Sequence, residues 1–349
     1  MQILYIGELK HGATAAMRLK SLNQLGYLVQ SIDSSYDLPS NATLKLLGRC
    51  AWKLGWPIDF QGLNDLLLVT VKTKQIDLVW IDKGIAVSVS TLQEIKRKNP
   101  RIIIAHYNPD DPFGSAGKSG WRRFIRSIPE YDVHFVPRAE NLVEYQQVGA
   151  KIVYHNVPTR GFDPEIHRPY DSDDAIVNNF RCDVGFIGEY ERDRYEQMRQ
   201  LADAGFTIRL AYDWPKQHWH HRFLRAPMVA RGQNYGKSLS SLKIGLGFLR
   251  KVNRDRHTSR SIEIPGCGTF LLAERTDEHQ ELFLEGVEAE FFGSPEELVE
   301  KTKYYLSNDT EREKIAAAGR ARCIRSGYDY NSRMKKMLDQ AVTASHESN

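Results

Sequence analysis

Short apolar runs alternate with stretches of helical period along almost the whole chain. ILYIG (residues 3–7) is followed by TAAMRLKSLNQLG, where Ala16, Leu19, Leu22 and Leu25 recur every third residue and Gly26 closes a helix. LVQSI, LVWID (78–82), IIIAHY (102–107), VHFVP (133–137) and KIVYH (151–155) continue the series of strands, with helical text between most of them. Strands that read as near-continuous Val, Ile and Leu, separated by helices, predict a parallel sheet covered on both faces.

The pattern breaks at NVPTRGFDPEIHRPYDSDDA (156–175), which is rich in Pro, Asp and Gly and has no period, and reads as a linker. The alternation then restarts. CDVGFIG is a strand ending in glycine, RDRYEQMRQLADAG a helix, and FTIRLAY, KIGLGF and GTFLLAE are further strands. SPEELVEKTKYYLSN opens with a Ser–x–x–Glu box and proline at the first helical position, a strong helix start. Residues 310–325 and 330–344 predict two more helices, and SHESN a frayed tail. Two αβ-alternating halves joined by a Pro-rich hinge follow from this order. Such sheets take ligands at the carboxyl ends of their strands, and two facing domains would enclose a cleft there.

The bulk numbers narrow the picture. At 349 residues the chain suits two domains rather than one core. A formal charge of +4 is too small to argue for nucleic acid, but it is compatible with an anionic substrate or a membrane surface. The four cysteines, Cys50, Cys182, Cys267 and Cys323, are scattered without a CxxC pair, which suits a reducing compartment. The first residues lack the features of a signal peptide, and no run approaches the ~20 apolar residues of a membrane span. A cytoplasmic protein is expected.

Candidate chemistry concentrates in TSRSIEIPGCGTFLLAE (258–274). The strand KIGLGF exits into LRKVNRDRHTSR, which carries four arginines and a lysine and feeds a short helix over 261–265, with Thr258 and Ser259 as expected caps. Hydroxyls, free helix N–H groups and Arg260 suit a phosphate or diphosphate. Glu263, one turn in, would repel that phosphate, so a pair of sugar hydroxyls is its more useful partner. Phosphate beside a diol describes a nucleotide ribose. Spacing alone leaves equally open a solvated Glu263 interacting with the arginines, and Gly266 and Gly268 as a plain turn.

Other loops carry further candidates. Arg192 and Arg194 follow the strand at 184–188; they either clamp a phosphate or only decorate a helix start, where cations are mildly unfavourable. AHYNPDDPFG (105–114) sets His106, Asp110 and Asp111 at a strand exit, as a general base or sugar contact, or as an Asx-type turn around Pro109 and Pro112. GELKHGATAA (7–16) offers Gly7 and Gly12 for close backbone approach, with Lys10, His11 and Thr14, to an acceptor or phosphate; Gly12 equally suits a bare turn. HWHH (218–221) is read as a surface cluster, because three histidines in four residues converge poorly on a metal. LGRCAWKLGW (47–56) and KSGWRRFIRSI (118–128) mix aromatic and leucine residues with cations, as ordinary amphipathic helices or as a face for anionic lipid.

RSIEIPGCGTFLLAE resembles the C-terminal domain signature of glycosyltransferases with two facing Rossmann-like domains, the GT-B fold. It is most similar to the branch typified by spore-maturation glycosyltransferases. VGFIGEYERDR and EGVEAEFFGSPEELVEKTKYYLSNDTEREKIAAAGRARC extend the resemblance over about 180–330; it is weak before residue 100. The family's glutamate pair, seven residues between them, falls on Asp255 and Glu263. The resemblance implies that Glu263 holds the donor ribose and that Arg192 and Arg194 clamp its diphosphate; Gly188, at the end of the matching first strand, and Arg260 complete the donor-site candidates. Aspartate in place of the first glutamate departs from the pattern. In retaining members a histidine at a strand exit contacts the donor sugar, a position His106 matches.

The resulting expectation is an α/β protein of two facing Rossmann-like domains with an interdomain cleft. Residues 1–165 would form the acceptor side and 166–330 the donor domain, with the helix and tail of 331–349 packing back on the first domain. It would be a metal-independent, cofactor-free transferase moving a sugar from a nucleotide sugar to a glycan, lipid-linked or small-molecule hydroxyl, working in the cytoplasm or at the inner face of its membrane, without nucleic acid. A sugar-nucleotide epimerase of the same fold and a non-catalytic glycan or nucleotide binder stand as alternatives.

Overall fold

The computed structural model describes residues 1–114, 118–211, 214–225 and 232–347. It divides into two compact units: Met1–Thr159 with Lys251–Arg254 and Asn331–Asn349, and Arg160–Arg250 with Asp255–Tyr330.

The first unit is a six-stranded, all-parallel sheet of β1 (Gln2–Gly7), β2 (Leu28–Asp33), β3 (Leu78–Asp82), β4 (Ile103–Tyr107), β5 (Val133–Val136) and β6 (Val153–His155), ordered β2-β1-β3-β4-β5-β6. Every residue of β3, β4 and β5 is buried, which explains why their text is apolar but for Asp82, His106 and His134. Leu4, Ile6, Val79, Ile81 and Ile104 pack on one face of the sheet, and Tyr5, Leu78, Trp80, Ala105 and Tyr107 on the other. The helix Tyr330–Glu347 covers that second face through Met334, Met337, Leu338 and Ala341, at the three- and four-residue spacing of a helical stripe.

The second unit repeats the plan with β7 (Cys182–Ile187), β8 (Ile208–Ala211), β9 (Phe223–Arg225), β10 (Leu242–Gly247), β11 (Phe270–Glu274) and β12 (Glu290–Phe292), ordered β12-β11-β10-β7-β8-β9 and parallel throughout. Counted from β7, this is the 3-2-1-4-5-6 order of a doubly wound nucleotide-binding sheet, and its switch point lies between β7 and β10. β9 and β12, three residues each, lie in charged text and have no counterpart in the sequence reading. The strand read in FTIRLAY ends at Ala211; Tyr212 lies outside the described residues, as do the last two residues of the SHESN tail. Ser294 accepts from the Glu297 N–H (3.2 Å) with Pro295 opening the helix Pro295–Ser307.

The aperiodic stretch 156–175 is no loose linker. Phe162 and His167 are fully or almost fully buried in the second unit, and Phe162 exchanges backbone hydrogen bonds with Tyr328 and Tyr330. Its irregular backbone is fixed by these contacts. No helix among the described residues is long and apolar enough to cross a membrane.

Candidate functional site

The switch point of the second sheet is where its charges gather. Phe186 on β7 presents its ring to two guanidinium groups: Arg194, from the helix Arg192–Asp203, at 5.6 Å, and Arg260, which opens the helix Arg260–Gly266, at 5.3 Å. Both lean on strand-end carbonyls. Arg194 donates from Nε to Leu249 O (3.1 Å) and from Nη1 to Glu189 O (3.2 Å). Arg260 reaches Ile187 O (3.4 Å) and Phe248 O (3.5 Å) only loosely, and its Nε is buried with no partner. Arg194 is 4% exposed, and burial, followed by the repulsion of Arg260, brings its pKa down to about 10. The nearest carboxylate to Arg194 is Glu191 at 3.9 Å, and Glu191 is itself held by Arg250 at 2.8 Å. A buried and a half-buried guanidinium with so little internal compensation form a site prepared for an anion.

Glu263 lies one turn beyond Arg260 and is 5% exposed. Its Oε2 accepts from the Tyr235 hydroxyl at 2.6 Å, and its Oε1 stands 3.8 Å from His167 Nε2. His167 Nδ1 accepts from the Asp163 N–H (2.9 Å), so the ring proton belongs on Nε2. That N–H is buried and has no hydrogen-bond partner. Burial lowers the His167 pKa, against the pull of Glu263 and Asp163. Burial, followed by the charge of Glu263, raises that of Tyr235 well above its ordinary value. The Thr258 hydroxyl is a further buried group without a partner. Glu263 thus has one oxygen pinned by a phenol and the other 3.8 Å from a buried, unpaired imidazole N–H.

The expected helix caps are corrected. Ser259 sits in helical backbone conformation and caps nothing; its hydroxyl accepts from Arg160 at 3.4 Å. Thr258 donates its N–H to the Ser261 hydroxyl (3.0 Å), which bonds His279 Nε2 (2.7 Å), while His279 Nδ1 donates to Glu274 O (2.6 Å). A buried chain of side chains fixes the turn instead. Gly188 closes β7 where a Cβ would lie 2.6 Å from the Phe186 ring, and its carbonyl accepts from Trp214 Nε1 (3.0 Å). Asp255 donates its N–H to Arg250 O (3.3 Å), and its charge acts on Arg194. Arg192 is exposed: two residues before Arg194 on one helix, it projects to a different face and stays out of the cluster.

The first unit treats its candidates differently. His106 is fully buried on β4 among Phe124, Tyr131 and His134, and its Nδ1 meets His134 Nδ1 at 3.1 Å. His134 Nε2 donates to Ile128 O (2.9 Å), leaving its Nδ1 to accept. Burial, then His134, pushes the pKa of His106 well down. His106 is therefore a core histidine, with no face toward a ligand. Asp111 is corrected too. Arg254 donates to it twice (2.7 and 3.0 Å) and to both oxygens of Glu144 (3.0 and 2.8 Å), and Asn141 donates to it at 3.0 Å. Against the effect of burial, these partners hold the Asp111 pKa below the usual carboxylate range. Asp110 alone of the three reaches solvent, paired with Lys83 at 2.7 Å. The Asx-type reading of that loop accounts for it: Asn108 and Asp111 each accept a backbone N–H two residues on.

Around β1, Thr14 accepts from Arg18 (3.2 Å), and Arg18 forms a buried ion pair with Asp82 (2.6 Å), to which Tyr5 also donates (2.8 Å). Gly7 is needed, because a Cβ would lie 2.9 Å from Tyr5 and 3.2 Å from Asp82. Gly12 has φ +82°, a turn conformation that suits glycine, and His11 is exposed. Among the described residues no group of three or more His, Cys, Asp or Glu converges as metal ligands; the His220 and His221 rings lie 4.2 Å apart, tilted by 32°.

Sequence reasoning missed Tyr235 and His167. Tyr235 lies 28 residues before Glu263, in the helix Gln233–Ser240, and His167 lies in the aperiodic stretch. No spacing rule links either to Glu263.

Residues 192–339 match the family described as glycosyl transferase-like. Among curated proteins no sequence matches the chain. Among solved structures, sucrose-phosphate synthase from Thermosynechococcus elongatus is similar over 98% of each chain, with a TM-score of 0.65 and 11% identity. HepE of Anabaena, in complex with UDP-glucose, is similar over 97% of this chain and all of its own (TM-score 0.60, 16% identity). A putative UDP-N-acetylglucosamine 2-epimerase from Listeria monocytogenes is similar over 100% of this chain and 97% of its own (0.59, 14%). At these identities the likeness is one of fold.

Proposed function

We propose that this chain, a glycosyltransferase-like protein of the GT-B fold, moves a sugar from a nucleoside-diphosphate sugar to an acceptor hydroxyl. The observation that carries the proposal is the pair of buried Arg194 and half-buried Arg260 at the β7/β10 switch point, whose nearest carboxylate, Glu191, stands 3.9 Å from Arg194 and is held by Arg250. A diphosphate between them supplies the missing negative charge. As the glycosidic bond breaks, charge grows on the departing phosphate, and fixed guanidinium groups stabilise it there without reorganising. No metal is required in this scheme. Glu263, pinned by Tyr235 and faced by His167, accepts from the ribose hydroxyls. Asp255 adjusts the arginine cluster through its charge.

The HepE complexes with UDP and UDP-glucose make a uridine diphosphate sugar the first donor to try. A glycan, a lipid-linked sugar or a small molecule serves as acceptor, and the four unpaired cysteines fit work in a reducing cytoplasm. The test is a thermal-shift series with uridine, guanosine, adenosine and thymidine diphosphates, followed by release of nucleoside diphosphate from the matching sugar. One diphosphate should raise the melting temperature in a concentration-dependent way, and Glu263→Ala should weaken that shift. Unchanged affinity in Glu263→Ala removes the ribose role. A new sugar-nucleotide isomer in place of free diphosphate selects the epimerase reading.

A further inference from the structure

We infer that the outer face of the first unit around the helix Ala42–Lys53 docks on a bilayer carrying anionic lipid headgroups. The helix is a genuine one: Asn41 accepts from Thr43 N (3.0 Å) and Leu44 N (3.1 Å) at its start. Yet Gly48 is its one buried residue, seated against Leu38 and Phe60, with Trp52 on Tyr36 (5.7 Å) as a second anchor. The opposite side is apolar and open. Leu46 is 63% exposed, Leu54 62%, Leu47 52% and Trp56 44%. Single exposed leucines are ordinary, whereas seven of the sixteen exposed large hydrophobics among the described residues fall within residues 44–69.

Over the helix and its exit to Trp56 the charges have one sign; Asp59 and Asp65 come only in the segment that follows. Lys45, Arg49 and Lys53 repeat every fourth residue, and residues 42–56 contain no Asp or Glu. At 3.6 residues per turn the three cations line one flank of Leu46, and Leu47 and Leu54 the other. The helix Arg122–Ser127 joins the same surface: Arg123 donates to Gly55 O (2.8 Å) and Pro57 O (2.5 Å), and the Arg126 guanidinium lies 5.3 Å from the Trp56 ring. The two stretches that mix aromatics with cations, far apart in sequence, are one patch. Among the described residues none of Lys45, Arg49, Lys53 and Arg126 pairs with a carboxylate.

Leucines and an indole flanked by unpaired cations match an acyl–headgroup boundary, where apolar groups sink and cations stay at the phosphates. A second copy fits poorly, since an isologous contact would set these cations against themselves and interfaces are poor in lysine. The inference is independent of the sugar chemistry.

The full chain should pellet with phosphatidylglycerol–phosphatidylcholine vesicles at least about tenfold more tightly than with phosphatidylcholine alone, and added salt should weaken it. The Leu46→Glu/Leu47→Glu variant should lose most of that binding, and so should Lys45→Glu/Arg49→Glu/Lys53→Glu, both with unchanged melting temperature. The charge variant keeps the test sound if the leucine variant does not fold. Absence of pelleting, equal binding to neutral vesicles, or binding that survives both variants overturns the inference. So does a concentration-dependent dimer in vesicle-free sedimentation that the leucine variant abolishes.

Discussion

The strand-exit ends of the two sheets handle charge in opposite ways. In the first unit the candidate groups and their neighbours meet one another within the unit: Arg18 meets Asp82 and Tyr5, Arg254 meets Asp111 and Glu144, and His106 meets His134. In the second, Arg194 and Arg260 share a ring and repel each other, the His167 Nε2–H points at a carboxylate 3.8 Å away, and the Thr258 hydroxyl has no partner. Closed networks hold a fold; open ones hold a ligand. The same residue types at the same end of similar sheets therefore play different parts, and the arithmetic of hydrogen bonds tells them apart.

The sharpest way to break this contrast is to open a closed network. Asp82→Ala strands a buried Arg18 and should cost about 3–5 kcal/mol of stability by urea unfolding, with nucleotide affinity unchanged in the protein that remains folded. Next comes the histidine pair. Burial lowers the pKa of both imidazoles, that of His134 to about 4, so the unfolded chain binds their protons more readily. Their stability contribution is therefore complete above pH ~6.5 and is lost as the pH falls toward about 4, at most about 3 kcal/mol for His134. Stability measured across that window should fall, and His134→Phe should flatten the slope by about one proton.

The open network responds the other way. Arg260→Ala relieves Arg194 of a like charge, so the melting temperature should hold or rise. Affinity for a nucleoside diphosphate should fall by about 10- to 100-fold in a titration, the range of a charge-assisted hydrogen bond. A melting temperature that drops sharply would show Arg260 to be structural. The smallest effect is that of Tyr235→Phe. Losing the 2.6 Å bond to Glu263 should cost about 1 kcal/mol of stability, and donor KM should rise several-fold with kcat little changed.

Much of the architecture was legible because its strands are fully buried and its helices striped; LVWID became β3 residue for residue. β9 and β12 were not, since these three-residue strands lie in charged text, whereas the equally short β6 stands in the apolar run of KIVYH. At the site, the short phrase around Glu263 reads as a helix over 261–265 with Arg260 just ahead of it; the helix begins at Arg260 itself, and Arg194 joins them at the switch point. Asp111 and His106 misled for one reason: a carboxylate or imidazole at a strand exit looks the same whether its partner is a ligand or another side chain. The partner of Asp111 lies 143 residues away in Arg254, beyond any local pattern. Tyr235 and His167 were invisible for the same cause, their value lying wholly in where the fold brings them.

The central claim is that the guanidinium pair on Phe186 grips a diphosphate, and calorimetric titration of the intact chain with uridine diphosphate and its guanosine, adenosine and thymidine counterparts tests it most directly. Saturable binding of at least one of them is expected, weakened in either single arginine variant and absent in Arg194→Ala/Arg260→Ala. Full-affinity binding by that double variant, or no binding of any of the four by the unaltered chain, would contradict it.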